Sequence, residues 1–350
     1  MRIGVIGAAG KIGQMRVATI VAEPAAELAA VLETDLDRAR AHAHGAPAFD
    51  RLEAFLAEPM DAVVISTPAH LREPLCLAAF AAGLHVLTEK PLHNTVAGSR
   101  RIVEAARKAR RHLGGGFNMR YYPAFAEVKD VIESGQIGEL DHLRIAGGHD
   151  GLRNFARDWE YKAEFSGGGA LWDVGIHMTD MARFLMEEIT EVYGVATGRV
   201  WQVPGSEDNA LAIFRSPDGL AASYRASWIE WTGYMSVVEA YGSRGMVRGA
   251  YAPMDSLLIT MDRPGARPVR RRNRYRGIQI QEKLRSWKVT ARASFAAELR
   301  DFIALCKGAE GLRIADGHAA LRAVEIAAAV PESGRSGRPV TLEPLGRMRP

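Results

Sequence analysis

The chain has 350 residues, 47% hydrophobic and 25% charged, with a net charge of +4 and two cysteines. That length exceeds one small core and points to two domains, and the ordinary apolar fraction points to a soluble globular protein. No apolar run approaches the roughly 18 residues that span a membrane, which argues against a membrane protein. Met1 leads almost directly into the strand-like run Ile3-Gly4-Val5-Ile6, which leaves no room for a signal peptide. Cys76 and Cys306 form no CxxC or zinc spacing, so a reducing cytoplasm is expected. Asp262 and the seven arginines from Arg263 to Arg276 together carry +6 and leave −2 for the rest. The body is therefore no basic surface, and nucleic acid is not an expected partner.

Met1 to Ile6 reads as a strand, Gly7-Ala8-Ala9-Gly10-Lys11-Ile12-Gly13 as a glycine-rich turn, and Gln14 to Val21 as a helix. Such a turn brings backbone amides at a helix N-terminus to a pyrophosphate, so Gly7, Ala9, Gly10, Lys11, Ile12 and Gly13 are candidate cofactor residues. The spacing is G-x-x-G-x-x-G, one residue longer than the usual fingerprint. Glu27 to Leu32 reads as a second strand with Glu33 at its end, 20 residues after Gly13. An acid there binds the ribose hydroxyls of NAD and repels the extra phosphate of NADP. Asp35 is expected to cap a helix starting near Leu36.

The alternation continues with strands at Asp61 to Ile65, Leu84 to Leu87 and Leu113 to Phe117, and helices at Glu73 to Ala82 and Val96 to Arg110. This rhythm predicts an α/β fold with a parallel sheet. Ligands bind at the carboxyl ends of such strands. Ser66, Thr67, Pro68, His70, Glu89, Lys90 and Asn118 fall there.

From Glu139 apolar and polar residues alternate. Strands are predicted at Leu140 to Ala146, Val192 to Val200, Asn209 to Phe214, Leu220 to Trp228 and Ser236 to Ala240, with Met246 to Arg248 and Ser256 to Thr260 completing the sheet. One face should pack on helices and the other is available to a partner subunit, so a homodimer or homotetramer is expected. Arg263 to Arg276, with Pro264 and Pro268, reads as a solvated loop; a sharper alternative has an arginine reaching an anionic substrate group. Ala293 to Cys306 and Asp316 to Ala329 read as amphipathic helices. Within Gly167 to Asp180, Asp173 and His177 stand four apart, a spacing that puts both on one face of a helix. A carboxylate beside an imidazole suits proton transfer. His42 and His44 point apart on a helix and no third ligand is near, so no metal is expected.

With Glu89-Lys90-Pro91 beside the opening turn, the chain strongly resembles the Gfo/Idh/MocA family of pyridine-nucleotide oxidoreductases. The matching stretches are the turn, Ser66-Thr67-Pro68-Ala69-His70, Ala82 to Leu92, Gly116 to Arg120, Gly167 to Asp180, and the helix Ala315 to Glu325. The resemblance implies a Rossmann domain (1–120) and then an α+β domain with a large, mostly antiparallel sheet (121–330). Its last helix, about 315–330, returns toward the first domain, and 331–350 is a tail. It also implies a catalytic trio, here Lys90, Asp173 and His177, and it requires no metal.

The expected reaction is hydride transfer between NAD, or NADP, and a secondary alcohol carbon of a sugar, sugar derivative or cyclitol. His177 would act as acid/base, Asp173 would orient it or bind a neighbouring hydroxyl, and Lys90 would hold the reacting oxygen. Lys90, Arg120, Tyr122, His149, Arg153, Arg157, Trp159, Asp173, His177 and Trp231 are candidate substrate contacts in a pocket between the domains. Arg153 and Arg157 either recognise an anion or neutralise Asp158 and Glu160. The alternatives are an NAD-dependent glycoside hydrolase, an NADP-dependent sugar reductase, and a non-enzymatic dinucleotide sensor. A sensor would be marked by loss of Lys90, Asp173 or His177, and all three are present.

Overall fold

The structure, a computed structural model, describes residues 1–151, 161–263 and 265–343. In chain order the strands are β1 (Arg2–Ile6), β2 (Glu27–Leu32), β3 (Ala48–Phe49), β4 (Ala62–Ile65), β5 (His85–Glu89), β6 (Leu113–Gly116), β7 (Leu140–Gly148), β8 (Glu191–Thr197), β9 (Asn209–Arg215), β10 (Ala221–Ser227), β11 (Met235–Gly242), β12 (Gly245–Tyr251), β13 (Asp255–Thr260), β14 (Val269–Asn273), β15 (Ala315–Asp316) and β16 (Val340–Thr341). The helices are α1 (Lys11–Ala22), α2 (Leu36–Ala41), α3 (Leu52–Leu56), α4 (Arg72–Ala81), α5 (Val96–Ala109), α6 (Pro123–Glu133), α7 (Ala163–Ser166), α8 (Gly175–Met186), α9 (Arg276–Arg285), α10 (Lys288–Cys306) and α11 (Gly317–Ser336).

The chain divides into two units, Met1–Asn118 with Thr290–Leu321, and Met119–Val289 with 322–343. In the first, the near-continuous apolar runs of β1, β4 and β5 are buried on both faces, as parallel strands under helices must be. The sheet order is β15-β6-β5-β4-β1-β2-β3, parallel except for β15. The order reverses beside β1, and the carboxyl ends of β1 and β4 therefore open the crevice where such sheets hold ligands. The core gathers Ile3, Val5, Val31, Val64 and Leu87 with Val17 and Ile20 of α1 and Leu299, Phe302 and Ile303 of α10. That packing assigns 290–321 to the Rossmann unit; the sequence reading places 121–330 in the second domain, with only the helix at about 315–330 returning toward the first.

In the second unit the sheet order is β14-β13-β12-β11-β7-β10-β9-β8-β16, antiparallel except for β7 beside β10. Alternation along β9 buries Ala210, Ala212 and Phe214 and exposes Leu211 and Ile213. Helices α6 and α8 pack on this sheet.

Two stretches correct the sequence reading. Val269–Asn273, expected in a loop, pairs antiparallel with β13 as an edge strand, and Arg276–Arg285 is a helix. Every residue of the strand is exposed, so no apolar alternation marked it. Ion pairs of Arg271 with Glu127 and of Arg272 with Asp255 hold it. The predicted tail from 331 also departs from expectation. Helix α11 runs through Pro331 to Ser336, and β16 then pairs with β8. Ser333 secures that turn, donating to Arg338 O and accepting from Gly194 N.

Candidate active site

In the first unit the glycine turn follows β1, and its geometry is set by close approach. A Cβ on Gly13 would stand 1.9 Å from Gly7 O, so the first turn of α1 lies directly on the loop. Gly10, the N-cap of α1, has no side chain to cap the helix. Glu33 reaches the same turn and accepts from Ala9 N at 2.8 Å. Asp35 caps α2 through Asp37 N and Arg38 N. At the end of β4, the hydroxyls of Ser66 and Thr67 are buried with no hydrogen-bond partner among the described residues. Buried hydroxyls are ordinarily satisfied. A polar ligand at the β1/β4 crevice supplies what they lack, so these residues fit a dinucleotide.

Other expected cofactor residues also make contacts inside the unit. Asn118 Nδ2 donates to Ser294 Oγ at 2.8 Å, and Ile12 packs against the cluster of Met15, Ala291 and Phe295. The Glu89 carboxylate pairs with the buried Arg16 at 2.6 Å, and Arg16 also meets Glu298 at 2.6 Å and stacks 4.0 Å over Phe295. Glu89 thus positions the chain around Lys90. Lys11 is exposed at the start of α1, and His70 and Lys90 are half-buried.

In the second unit Gly167 to Val174 forms a succession of turns, and α8 starts only at Gly175. Asp173 therefore precedes the helix that carries His177 in its first turn. Glu207 organises the turns. Its carboxylate accepts from Gly169 N at 3.0 Å and Leu171 N at 2.8 Å, and its carbonyl accepts from Ala170 N. A Cβ on Gly169 would lie 2.0 Å from that carbonyl. Burial pushes the Glu207 carboxyl above its ordinary value, against the two amide bonds.

So placed, the Asp173 carboxylate meets His149 Nε2 at 2.9 Å and accepts from Trp228 Nε1 at 3.2 Å. His149 follows the last residue of β7, and its backbone is tied to Ser227 and Glu230. Sequence spacing sets His177 beside Asp173; His149, expected as a substrate liner, is also in hydrogen-bond contact with that carboxylate. Trp228 and Glu207 carried no motif. The signal for His149 was only its place at a strand's end.

Two expected substrate liners have partners inside the unit. Arg120 makes a buried bidentate pair with Asp180 at 2.8 and 2.6 Å, and Tyr122 is buried among Phe125 and Tyr251. The Asp180 carboxylate offsets the cost of burying the Arg120 guanidinium. Trp231 is 67% exposed beside Trp201. Arg153, Arg157 and Trp159 lie outside the described residues. An open cleft of about 1050 Å³ runs along Arg271 to Arg276 and Glu127 and contains neither Asp173 nor His177. No helix among the described residues is long and apolar enough to cross a membrane.

A model of an oxidoreductase family with an NAD-binding Rossmann fold matches residues 1–117, and one of the GFO/IDH/MocA C-terminal domain matches 125–248. The inositol 2-dehydrogenase of Acidothermus cellulolyticus is 30% identical over 356 residues, covering 98% of this chain and 95% of that protein. The chain belongs to the GFO/IDH/MocA oxidoreductase family. An inositol 2-dehydrogenase of Corynebacterium glutamicum strain R is 39% identical over 150 residues, so the match spans 44% of that relative. Among solved structures, an NAD binding oxidoreductase from Klebsiella pneumoniae superposes with a TM-score of 0.84 at 23% identity, over 98% of this chain and 99% of that one. The WlbA dehydrogenase from Bordetella pertussis, in complex with NADH and UDP-GlcNAcA, gives 0.81 at 23%, over 99% and 98%. At those identities the two share the fold. The first unit is the family's NAD-binding Rossmann domain, and the chain is an NAD-dependent oxidoreductase.

Proposed function

We propose that this GFO/IDH/MocA protein oxidises a secondary alcohol carbon of a cyclitol, sugar or sugar derivative. The observation that carries this reading is Asp173, a half-buried carboxylate held by His149 and Trp228 immediately before the helix of His177. The names of the inositol 2-dehydrogenase relatives support the substrate class.

The turn Gly7–Gly13, Glu33 and the hydroxyls of Ser66 and Thr67 would hold NAD, which when bound supplies the hydride acceptor. An alcohol that loses hydride must also lose its hydroxyl proton. His177 takes that proton, since an imidazole titrates near neutrality. Lys90 holds the same oxygen and stabilises the charge that develops on it. Asp173 is fixed by two donors and so offers its carboxylate to a neighbouring substrate hydroxyl in one orientation. His149 acts through Asp173.

NADP is the second reading, because Arg38 Nη2 stands 3.4 Å from Ala9 O in the glycine turn, where a guanidinium meets a phosphate. The location is proposed as cytoplasmic and the assembly as a homodimer or homotetramer. Tyr193 and Val195 of β8 sit in register with Ile213 and Leu211 of β9 and are 44–48% exposed, an apolar patch on one sheet face. Light scattering on the purified chain tests the assembly. Screening inositols, sugars, sugar acids and sugar phosphates for NADH absorbance tests the activity. One polyol class should give turnover, and His177→Ala should lower it by about 100-fold or more. Wild-type turnover in that variant overturns the reading.

A further inference from the structure

Arg72 is the first residue of α4 and is 4% exposed, yet among the described residues its guanidinium faces no carboxylate in hydrogen-bond contact. Its donors go to backbone carbonyls. Nε and Nη2 donate to Thr67 O at 3.0 and 2.8 Å. Nη1 donates to Glu89 O at 2.6 Å and to Pro91 O. Burying a cation in this way is costly, and burial pushes the Arg72 guanidinium down to about 10, against the pull of Glu89. It still carries its charge at neutral pH.

The acceptors are not arbitrary. Glu89 and Pro91 flank Lys90 on both sides, and Thr67 belongs to the loop at the end of β4. One planar fork therefore ties the backbone on either side of Lys90 to the neighbouring loop. From the opposite direction Arg16 holds the Glu89 side chain. Lys90 thus stands on a three-residue segment pinned at both carbonyls and at its preceding carboxylate.

We propose that Arg72 is a positioning residue for Lys90, fixing the carbonyls of Glu89 and Pro91 to that of Thr67 so that the lysine stem starts from one place. The inference rests on the reading of Lys90 as the group that holds the reacting oxygen. Arginine is required because a rigid fork of five donors spans three carbonyls from two segments, whereas a lysine ammonium offers one nitrogen.

The test compares wild type, Arg72→Lys, Lys90→Ala and the double variant as full-length chains. Turnover is measured with the best polyol of the screen, NADH affinity by fluorescence, and Lys90 reactivity by acetylation with an N-hydroxysuccinimide ester read by mass spectrometry. Misplacing a catalytic group by about 1 Å costs on the order of 100-fold, so Arg72→Lys should lower kcat to that extent. NADH affinity should move less than about threefold, and in the Lys90→Ala background Arg72→Lys should cost less than about threefold further, since both losses are then one loss. The acetylation rate of Lys90 should change in Arg72→Lys. Additive losses in the double variant, or an unchanged Lys90 acetylation rate, overturn the proposal. If Lys90→Ala turns over like wild type, the reading of Lys90 fails separately, and the acetylation rate still decides whether Arg72 places it. Should Arg72→Lys not fold, Arg72→Gln, which keeps two donors, carries the same comparison.

Discussion

His149 Nε2 lies 2.9 Å from Asp173 Oδ2, although 24 residues separate the two in the chain. The contact joins the end of β7 to the turn before α8, two segments within one unit. It gives the carboxylate a partner distant in sequence, and Trp228 Nε1 supplies a further donor.

Removing His149 should therefore loosen Asp173. His149→Ala should lower kcat on the order of 100-fold, the cost of a misplaced catalytic group, with little change in NADH affinity. Steady-state kinetics beside a fluorescence titration checks this. An unaltered kcat would leave the pair with a structural role only.

Glu33 tests cofactor choice. Its carboxylate already accepts from Ala9 N, which sets it beside the glycine turn. Loss of a charge-assisted hydrogen bond costs about 1.5–3 kcal/mol, or roughly 10- to 100-fold in affinity. Glu33→Ala should weaken NAD by that factor and improve NADP relative to NAD. Titrating both cofactors against both proteins reads the ratio; an unchanged ratio removes Glu33 from the ribose site.

Glu207 tests the scaffold under Asp173. Glu207→Ala strips the acceptors from Gly169 N and Leu171 N. Two unsatisfied buried donors cost about 2–6 kcal/mol. The thermal midpoint should fall by several degrees or more, with activity lost below it as the turns relax. A midpoint within a degree of wild type would show that the turns hold without it.

His85 gives a pH prediction. Burial, then the stacked His112 and nearby Arg111, push its imidazole down to about 4, against the milder pull of Asp61. The folded value lies below the unfolded one near 6.5, so the fold favours the neutral ring. Its contribution is present above pH 6.5 and is lost as pH falls toward 4. Thermal midpoints should decline through that window in wild type and decline less in His85→Gln.

The parallel sheet was legible because period and punctuation agree: buried β4 and β5 read as apolar runs, and glycine or proline marks their ends. The glycine turn and Glu33 were legible for the same local reason. What remained hidden depends on contacts between distant residues. Arg72 looks like any polar residue at a helix start, and only the fold brings Glu89 O, Pro91 O and Thr67 O to its fork. His149 and Glu207 bear on Asp173 through chain reversals that no spacing rule encodes. The exposed arginine strand β14 has no apolar side to alternate, so its pairing with β13 left no pattern.

The proposed reaction is hydride transfer from a secondary carbinol carbon with His177 taking the hydroxyl proton. The most direct measurement uses the best polyol of the screen deuterated at its ring carbons, with the reduced cofactor analysed by mass spectrometry. NADH should carry the deuterium and accumulate in step with ketone product. Unlabelled NADH, or released sugar with no net NADH, would contradict it.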